Sequence, residues 1–535
     1  MRAPRLVVSL LLALGAAAAC GRARPAGTLA RERCRDVDVP GARCSSLTVY
    51  ENRAARTGRT IRLRIVVLPA RQQPRAVDAI FFLAGGPGEA ATHMASADFV
   101  VNHPLRAHRD IVLVDQRGTG GSHDLRCRFY GHGLRGDAPT GNPQGHGLRG
   151  DAPTGNPQGH GLRADAPTGN PQGYGLRGDA PTGNPQGPPS DVQSYFGPFI
   201  PPDKARACRE ELSRDADLTQ YTTANSVEDL EEVRASLRYS QVDLIGLSYG
   251  TRLAMEYVRA HEPRVRTVVL YGAVPPSEPM PQRFGAMAQR ALDGLLAECA
   301  ATPACRAAFP SIRDEARAVF DRLRQSPVKT TFTVDGRPAT VTLSRDIVAE
   351  SIRYMTYSSG QASSVPLFLH RAAQGDFSPI AADIWRRRQD GTFDGLYLAI
   401  TCAEDVPFVS AAAAEDDDPT YLGGHRVRQQ RAGCDGWPSG AEPAWRNKPV
   451  AANVPVLFVS GTLDPVTPAA FADEIRRTLP NNARLLVRSG GHNLDGLTHP
   501  ECLDRIEQAF VERGSVAGLD TSCVTRMARP GFATR

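Results

Sequence analysis

Ser248 stands at the centre of Gly246-Leu247-Ser248-Tyr249-Gly250, between a mostly apolar run, Val242 to Ile245, and a segment of helical character, Thr251 to Arg259. No other feature constrains the chain as strongly. A serine with glycines two residues to either side, at the junction of strand and helix, predicts a sharp turn. The turn holds the serine in a strained backbone conformation and lifts its hydroxyl above a sheet. The glycines let strand and helix pass without Cβ clashes. A glycine-rich turn without chemistry is the alternative, and the strand before and the helix behind argue against it.

A serine hydroxyl is a weak nucleophile until a base takes its proton, so the reading requires a histidine and an orienting carboxylate further on. Pro455 to Val459 reads as a buried strand, followed by Ser460-Gly461-Thr462-Leu463-Asp464-Pro465. Asp464 is thereby expected at a strand's C-terminal end, where open α/β sheets keep their sites. A second strand, Ala483 to Val487, runs into Ser489-Gly490-Gly491-His492. His492 is the expected base and Asp464 the group that fixes its tautomer. His499, beside Pro500, is the rival base and ranks second. The oxyanion of an acyl-transfer intermediate needs backbone donors. The Tyr249 amide is one, and the loop Ala84-Gly85-Gly86-Pro87-Gly88, after the strand Ala79 to Leu83, supplies the other through Gly86, with Gly85 as the alternative.

Strands expected at 79–83, 110–115, 242–246, 265–271, 454–460 and 483–488, with helices between, predict an α/β fold with a mostly parallel, doubly wound sheet. Alternating stretches at Leu47-Thr48-Val49-Tyr50 and Ile61 to Val67 read as antiparallel strands that open it. Ser226-Val227-Glu228-Asp229 has capping-box spacing for a helix running to Leu237. Two insertions interrupt the order. Residues 277–450 form a largely helical lid, with Phe284, Met287, Ala288, Ala291, Leu292, Leu295 and Leu296 on one helical face and a hairpin signal at Asp335-Gly336. Trp385, Tyr397, Phe408 and Trp437 are candidates to line the pocket beneath it. The other insertion, 131–187, contains a fourteen-residue unit, Gly131 to Gln144, that recurs from 145, 159 and 173. With one leucine per copy it cannot bury a core, and disorder is expected. Its Gly-x-Gly triplets have no strand in front, which excludes a nucleotide-binding reading. The core is then expected in two parts, 20–276 and 451–535.

Gly85-Gly86-Pro87-Gly88, Val114-Asp115-Gln116-Arg117-Gly118-Thr119-Gly120-Gly121-Ser122 and Gly246 to Arg252 together resemble the prolyl aminopeptidase family of α/β-hydrolases, and more closely its secreted tripeptidyl aminopeptidase-like branch. Tyr221-Thr222-Thr223, Val269 to Pro276 and Thr401-Cys402-Ala403-Glu404-Asp405 fit the same pattern. The resemblance covers most of residues 40–525. It departs at Ala84, where the family often has His, and at Glu89, where small residues are common. It implies the α/β-hydrolase fold and hydrolysis of short peptides from a free N-terminus through an acyl-enzyme, with no cofactor and no metal. A carboxylesterase or lipase would use the same triad, and a surface-binding protein with a degenerate catalytic fold is a third reading. An aminopeptidase must also hold the substrate's α-ammonium with acidic groups. Glu404 is the first candidate, with Asp405 and Glu89 behind it.

Net charge is only +6 over 535 residues, with both signs interspersed, so the chain has no electrostatic footprint for nucleic acid. No obligate protein partner is evident. Met1-Arg2-Ala3-Pro4-Arg5 and the apolar stretch Leu6 to Ala19 read as a signal peptide, residues 1–19, too short to span a bilayer. Export to the periplasm or beyond is expected. Cleavage after Ala19 would expose Cys20, so a lipid anchor and soluble release both stay open. Of eleven cysteines, ten remain beside Cys20, an even number that suits an oxidising compartment. Connectivity is open from sequence alone. Neighbours suggest Cys34–Cys44, Cys127–Cys208, Cys299–Cys305, Cys402–Cys434 and Cys502–Cys523, which the resemblance also favours.

Overall fold

Short apolar runs, buried on both faces, build the central sheet. The computed structural model describes residues 26–127, 129, 192–389, 394–440, 443, 445, 446 and 448–535. The expected signal peptide, Cys20 and the repeat lie outside the described residues. The described residues contain eleven strands: β1 Leu29–Glu32, β2 Arg43–Tyr50, β3 Thr60–Leu68, β4 Ala79–Leu83, β5 Asp110–Val114, β6 Val242–Leu247, β7 Val265–Tyr271, β8 Val328–Val334, β9 Arg337–Leu343, β10 Val456–Gly461 and β11 Asn482–Val487. Nine form one sheet in the order β1-β2-β3-β5-β4-β6-β7-β10-β11. The run from β5 to β11 is parallel throughout, and β1, β2 and β3 join antiparallel at the other edge. Every residue of β4 and β5 is buried, as parallel strands covered by helices require. Because the strands run the same way, the C-terminal ends of β4, β6, β7, β10 and β11 share one edge.

The antiparallel opening and all six expected parallel strands are present, with ends shifted by no more than two residues. β1 had no signal in the sequence. The helix after Tyr221, α1 Thr223–Leu237, starts a turn earlier than the capping-box spacing suggests. Its cap is Thr222, whose hydroxyl accepts from the Asn225 amide, while Ser226 sits inside the helix and donates back to the Thr222 carbonyl. The helix α2 Tyr249–His261 follows β6 directly.

Between β7 and β10 the chain folds mainly as helices: α3 Phe284–Ala301, α4 Arg345–Met355, α5 Ser378–Gln389, α6 Asp394–Glu404, α7 His425–Cys434 and shorter ones. The seven apolar residues expected on one face of α3 are all buried. β8 and β9 form the hairpin expected at Asp335-Gly336, both of which take positive φ, 48° and 76°, as a two-residue hairpin turn demands. One feature departs from the expected partition. Phe196 packs in the core of the insertion, and Ile200, Cys208 and Leu212 pack with Leu396 and Leu398 of α6. The segment 196–212, which follows the repeat, therefore packs with the insertion.

All five nearest-neighbour disulfides are formed. Among the described residues no helix is long and apolar enough to cross a membrane.

Candidate active site

Ser248 lies between β6 and α2 with φ 53° and ψ −119°, a region that non-glycine residues avoid at a cost of about 1–3 kcal/mol. Packing enforces it. A Cβ on Gly246 would stand 2.6 Å from the Gly250 carbonyl oxygen, and one on Gly250 would run into the carbonyls of Leu83 and Ala84. Both flanking glycines are therefore required by close backbone approach. The Ser248 amide donates to the Tyr271 carbonyl at the end of β7 (2.9 Å), and the Thr251 amide and hydroxyl return to the Ser248 carbonyl.

Asp464 and His492 meet at the same sheet edge. His492 Nδ1 lies 2.8 Å from Asp464 Oδ2. The carboxylate is fully buried and accepts from the Val466 amide (2.9 Å), the Thr467 amide (2.7 Å) and the Thr467 hydroxyl (2.6 Å). Burial alone would raise its pKa; the imidazole and the Thr467 donors outweigh that and hold it below its ordinary value. Asp464 is thus an anion able to stabilise an imidazolium. The His492 ring meets Tyr357 of the insertion edge-on, with centroids 4.9 Å apart. The Tyr357 carbonyl accepts from the Asn493 amide, and the Ser359 hydroxyl from the Gly491 amide. The insertion therefore clamps the histidine loop onto the sheet.

Ser248 and His492 face one cavity of about 280 Å³. Their separation is bounded from a neighbour. Gly272 follows the residue that anchors the Ser248 amide, and a Cβ placed on it would lie 3.0 Å from His492 Cε1 and 2.7 Å from Thr467 Oγ1. Serine and imidazole thus line adjoining parts of one wall, with no hydrogen bond between them. His499, the rival base, is exposed, pairs with Glu501 at 3.3 Å and does not line the cavity.

The loop after β4 lies against the elbow, with Gly85 close enough that a Cβ there would be 3.4 Å from Ser248 Cβ. Gly86 takes φ 101° and lines the cavity together with Tyr249. The loop is braced by Asp115, which follows β5: its buried carboxylate accepts from the Thr92 amide and hydroxyl and from the Gly121 amide. Arg117 makes a fork to Asp229 of α1, both distances 2.7 Å. The Asp115-Gln116-Arg117-Gly118 motif thus acts as a structural tie for the glycine loop.

The acidic candidates separate sharply. Glu404 does not reach the cavity. It is 1% exposed, and both oxygens are engaged by Thr223, through its amide at 2.7 Å and its hydroxyl at 2.5 Å. This corrects the expectation that Glu404 leads as an ammonium ligand: it holds the first turn of α1 instead. Burial pushes its pKa up to about 7, against the Thr223 bonds that favour the charge. Asp405 lines the cavity but is engaged by Arg252 (3.0 and 3.2 Å) and the Met280 amide (3.2 Å).

The insertion supplies much of the cavity wall, and little of it was visible in sequence. Of the four aromatic candidates only Tyr397 lines it; Trp385, Phe408 and Trp437 do not. Phe199, from the segment after the repeat, does, with the Arg426 guanidinium 3.6 Å from its ring centre. Arg353 and Arg426 share the buried carboxylate of Glu350. Among the described residues no His, Cys, Asp and Glu side chains group in a way that could hold a metal ion.

The α/β-hydrolase fold family matches residues 78–494 of the chain. The serine protease Hip1 of Mycobacterium tuberculosis (strain H37Rv) is 26% identical over 337 residues, which cover 57% of this chain and 62% of that protein. The chain thus spans less than two thirds of that relative's length. The tripeptidyl aminopeptidase of Streptomyces coelicolor is 24% identical over 542 residues, covering 96% of this chain and 88% of that one. A crystal structure of proline iminopeptidase from Mycobacterium smegmatis is 15% identical, covers 88% of this chain and 99% of that one, and has a TM-score of 0.34.

Proposed function

Because the chain belongs to the α/β-hydrolase fold family, we propose that it is an exported serine aminopeptidase that cleaves short peptides from a free N-terminus through an acyl-enzyme on Ser248. The observation that carries this is the Asp464–His492 pair at 2.8 Å facing the strained Ser248 in one cavity. His492 Nε2 takes the hydroxyl proton as Ser248 Oγ attacks the scissile carbonyl, then passes it to the leaving amine. Water repeats the sequence on the acyl-enzyme. Asp464 keeps Nδ1 protonated and stabilises the imidazolium. The Gly86 and Tyr249 amides receive the oxyanion, each donor worth about 3 kcal/mol of barrier.

The peptidase reading draws support from the serine protease and tripeptidyl aminopeptidase relatives. The small cavity, walled by the insertion, suits short peptides rather than folded proteins. Export is supported by five disulfides, which persist in oxidising compartments; cleavage after Ala19 is part of the proposal, with a lipid on Cys20 and soluble release as its two alternatives. The test compares a peptidyl amide with a free α-amine, its N-acetylated twin and an aryl ester. A strong preference for the free amine, abolished with all turnover in Ser248→Ala, supports the aminopeptidase. Indifference to the amine points to an esterase.

A further inference from the structure

An enzyme that requires a free N-terminus must offer its ammonium an acid not already neutralised by the protein. Two carboxylates line the cavity, Glu89 and Asp405. Asp405 is 2% exposed and committed to Arg252, with Arg446 Nη1 a further 3.5 Å away. Glu89 is exposed, and among the described residues it makes no hydrogen bond or ion pair. It also stands close to the nucleophile. A point one Cβ out from Gly85 lies 3.2 Å from Glu89 Oε2 and 3.4 Å from Ser248 Cβ, so carboxylate and serine stand no farther apart than about two residues of extended chain. The absence of a Gly85 side chain leaves the space between them open.

The surrounding charges sharpen the choice. The cavity's guanidiniums, Arg252, Arg353, Arg387 and Arg426, belong to α2, α4, α5 and α7, whereas Glu89 belongs to the glycine loop. Arg252 is paired to Asp405, Arg353 and Arg426 to Glu350 and Arg387 to Asp383, so an entering cation is attracted at the unpaired Glu89 carboxylate, beside the oxyanion loop.

We propose that Glu89 binds the substrate's α-ammonium and acts as a ruler that favours release of one or two N-terminal residues. The inference rests on the aminopeptidase reading above. With the scissile carbonyl over Ser248, the ammonium of a one- or two-residue fragment falls within reach of Glu89. A third residue adds about 3.5 Å and carries an extended N-terminus past it. The ruler separates this chain from a tripeptide-releasing enzyme.

The experiment measures kcat/KM on aminoacyl, dipeptidyl and tripeptidyl 4-nitroanilides, each with a free and an N-acetylated terminus, for the full chain and for Glu89→Gln and Glu89→Asp. The wild type is expected to favour the free amine and the one- or two-residue fragments. Glu89→Gln is expected to lower the free-to-acetylated ratio by about 10- to 100-fold, the range of a lost charged hydrogen bond, while Glu89→Asp retains part of the preference. A free-amine preference that survives Glu89→Gln overturns the anchor and leaves the aminopeptidase reading standing. Best turnover of the tripeptidyl substrate overturns the ruler. A wild type indifferent to acetylation removes the aminopeptidase reading and the proposal together.

Discussion

Gly272→Ala tests whether the catalytic geometry is as tight as the packing implies. Gly272 takes φ 61°, where an alanine costs about 1–2 kcal/mol. Its new Cβ would lie 2.7 Å from Thr467 Oγ1, 3.0 Å from His492 Cε1 and 3.2 Å from His492 Nδ1. All three are closer than ordinary van der Waals contact, and neither partner has free room to retreat. Thr467 Oγ1 is bound to Asp464, and the imidazole is held between Asp464 and the Tyr357 ring. The ring must therefore turn out of line with Ser248 by a few tenths of an ångström. Overpacking adds about 1–3 kcal/mol, for a total loss of about 2–5 kcal/mol of stability, and the misplaced base costs about 10- to 100-fold in kcat. Steady-state kinetics on an aryl ester, paired with thermal melting, reads both. A protein destabilised as expected but with kcat within threefold of wild type would refute the claim that the imidazole beside Gly272 is the base.

Two further outcomes follow from the packing of the fold. Glu404 has its pKa raised from 4.5 to about 7 in the fold, so it stays protonated where the unfolded chain has already ionised; stability should fall as pH rises from about 4.5 through 7, by about 3 kcal/mol. Denaturant titrations across that window should show the decline flattened in Glu404→Gln, and an undiminished slope would place its origin elsewhere. Deletion of residues 131–186 should leave kcat/KM within about threefold, because the Cys127–Cys208 bridge ties the two flanks together independently of the repeat; a folded but inactive deletion protein would contradict this.

The site was legible where its chemistry is written in local sequence. Ser248 could be singled out as a candidate because the elbow needs glycines at fixed offsets, and Asp464 and His492 because each follows an apolar run that reads as a strand. The sheet was legible for the same reason, since buried parallel strands announce themselves as continuous apolar runs. Long-range encounters were not. Nothing near Glu404 signals that Thr223, 181 positions away, would occupy both of its oxygens. Phe199 and Arg426 meet only through the way the post-repeat segment packs against the insertion, and Tyr357 reaches His492 only because the insertion packs onto the histidine loop. Thr467, three residues after Asp464, did carry a signal: a short polar side chain at that spacing can bind back to the carboxylate. The helix start at Thr223 was misplaced because two hydroxyl residues, Thr222 and Ser226, offered competing caps.

The central claim, a serine activated by an imidazole–carboxylate pair gathered from three distant strand ends, is tested most directly by covalent labelling. A fluorophosphonate probe incubated with the folded enzyme, followed by peptide mass mapping, should modify Ser248 alone, with the rate collapsing in His492→Ala and in Asp464→Asn. Failure of the folded wild type to label, or labelling at Ser248 that proceeds unchanged without His492, would contradict it.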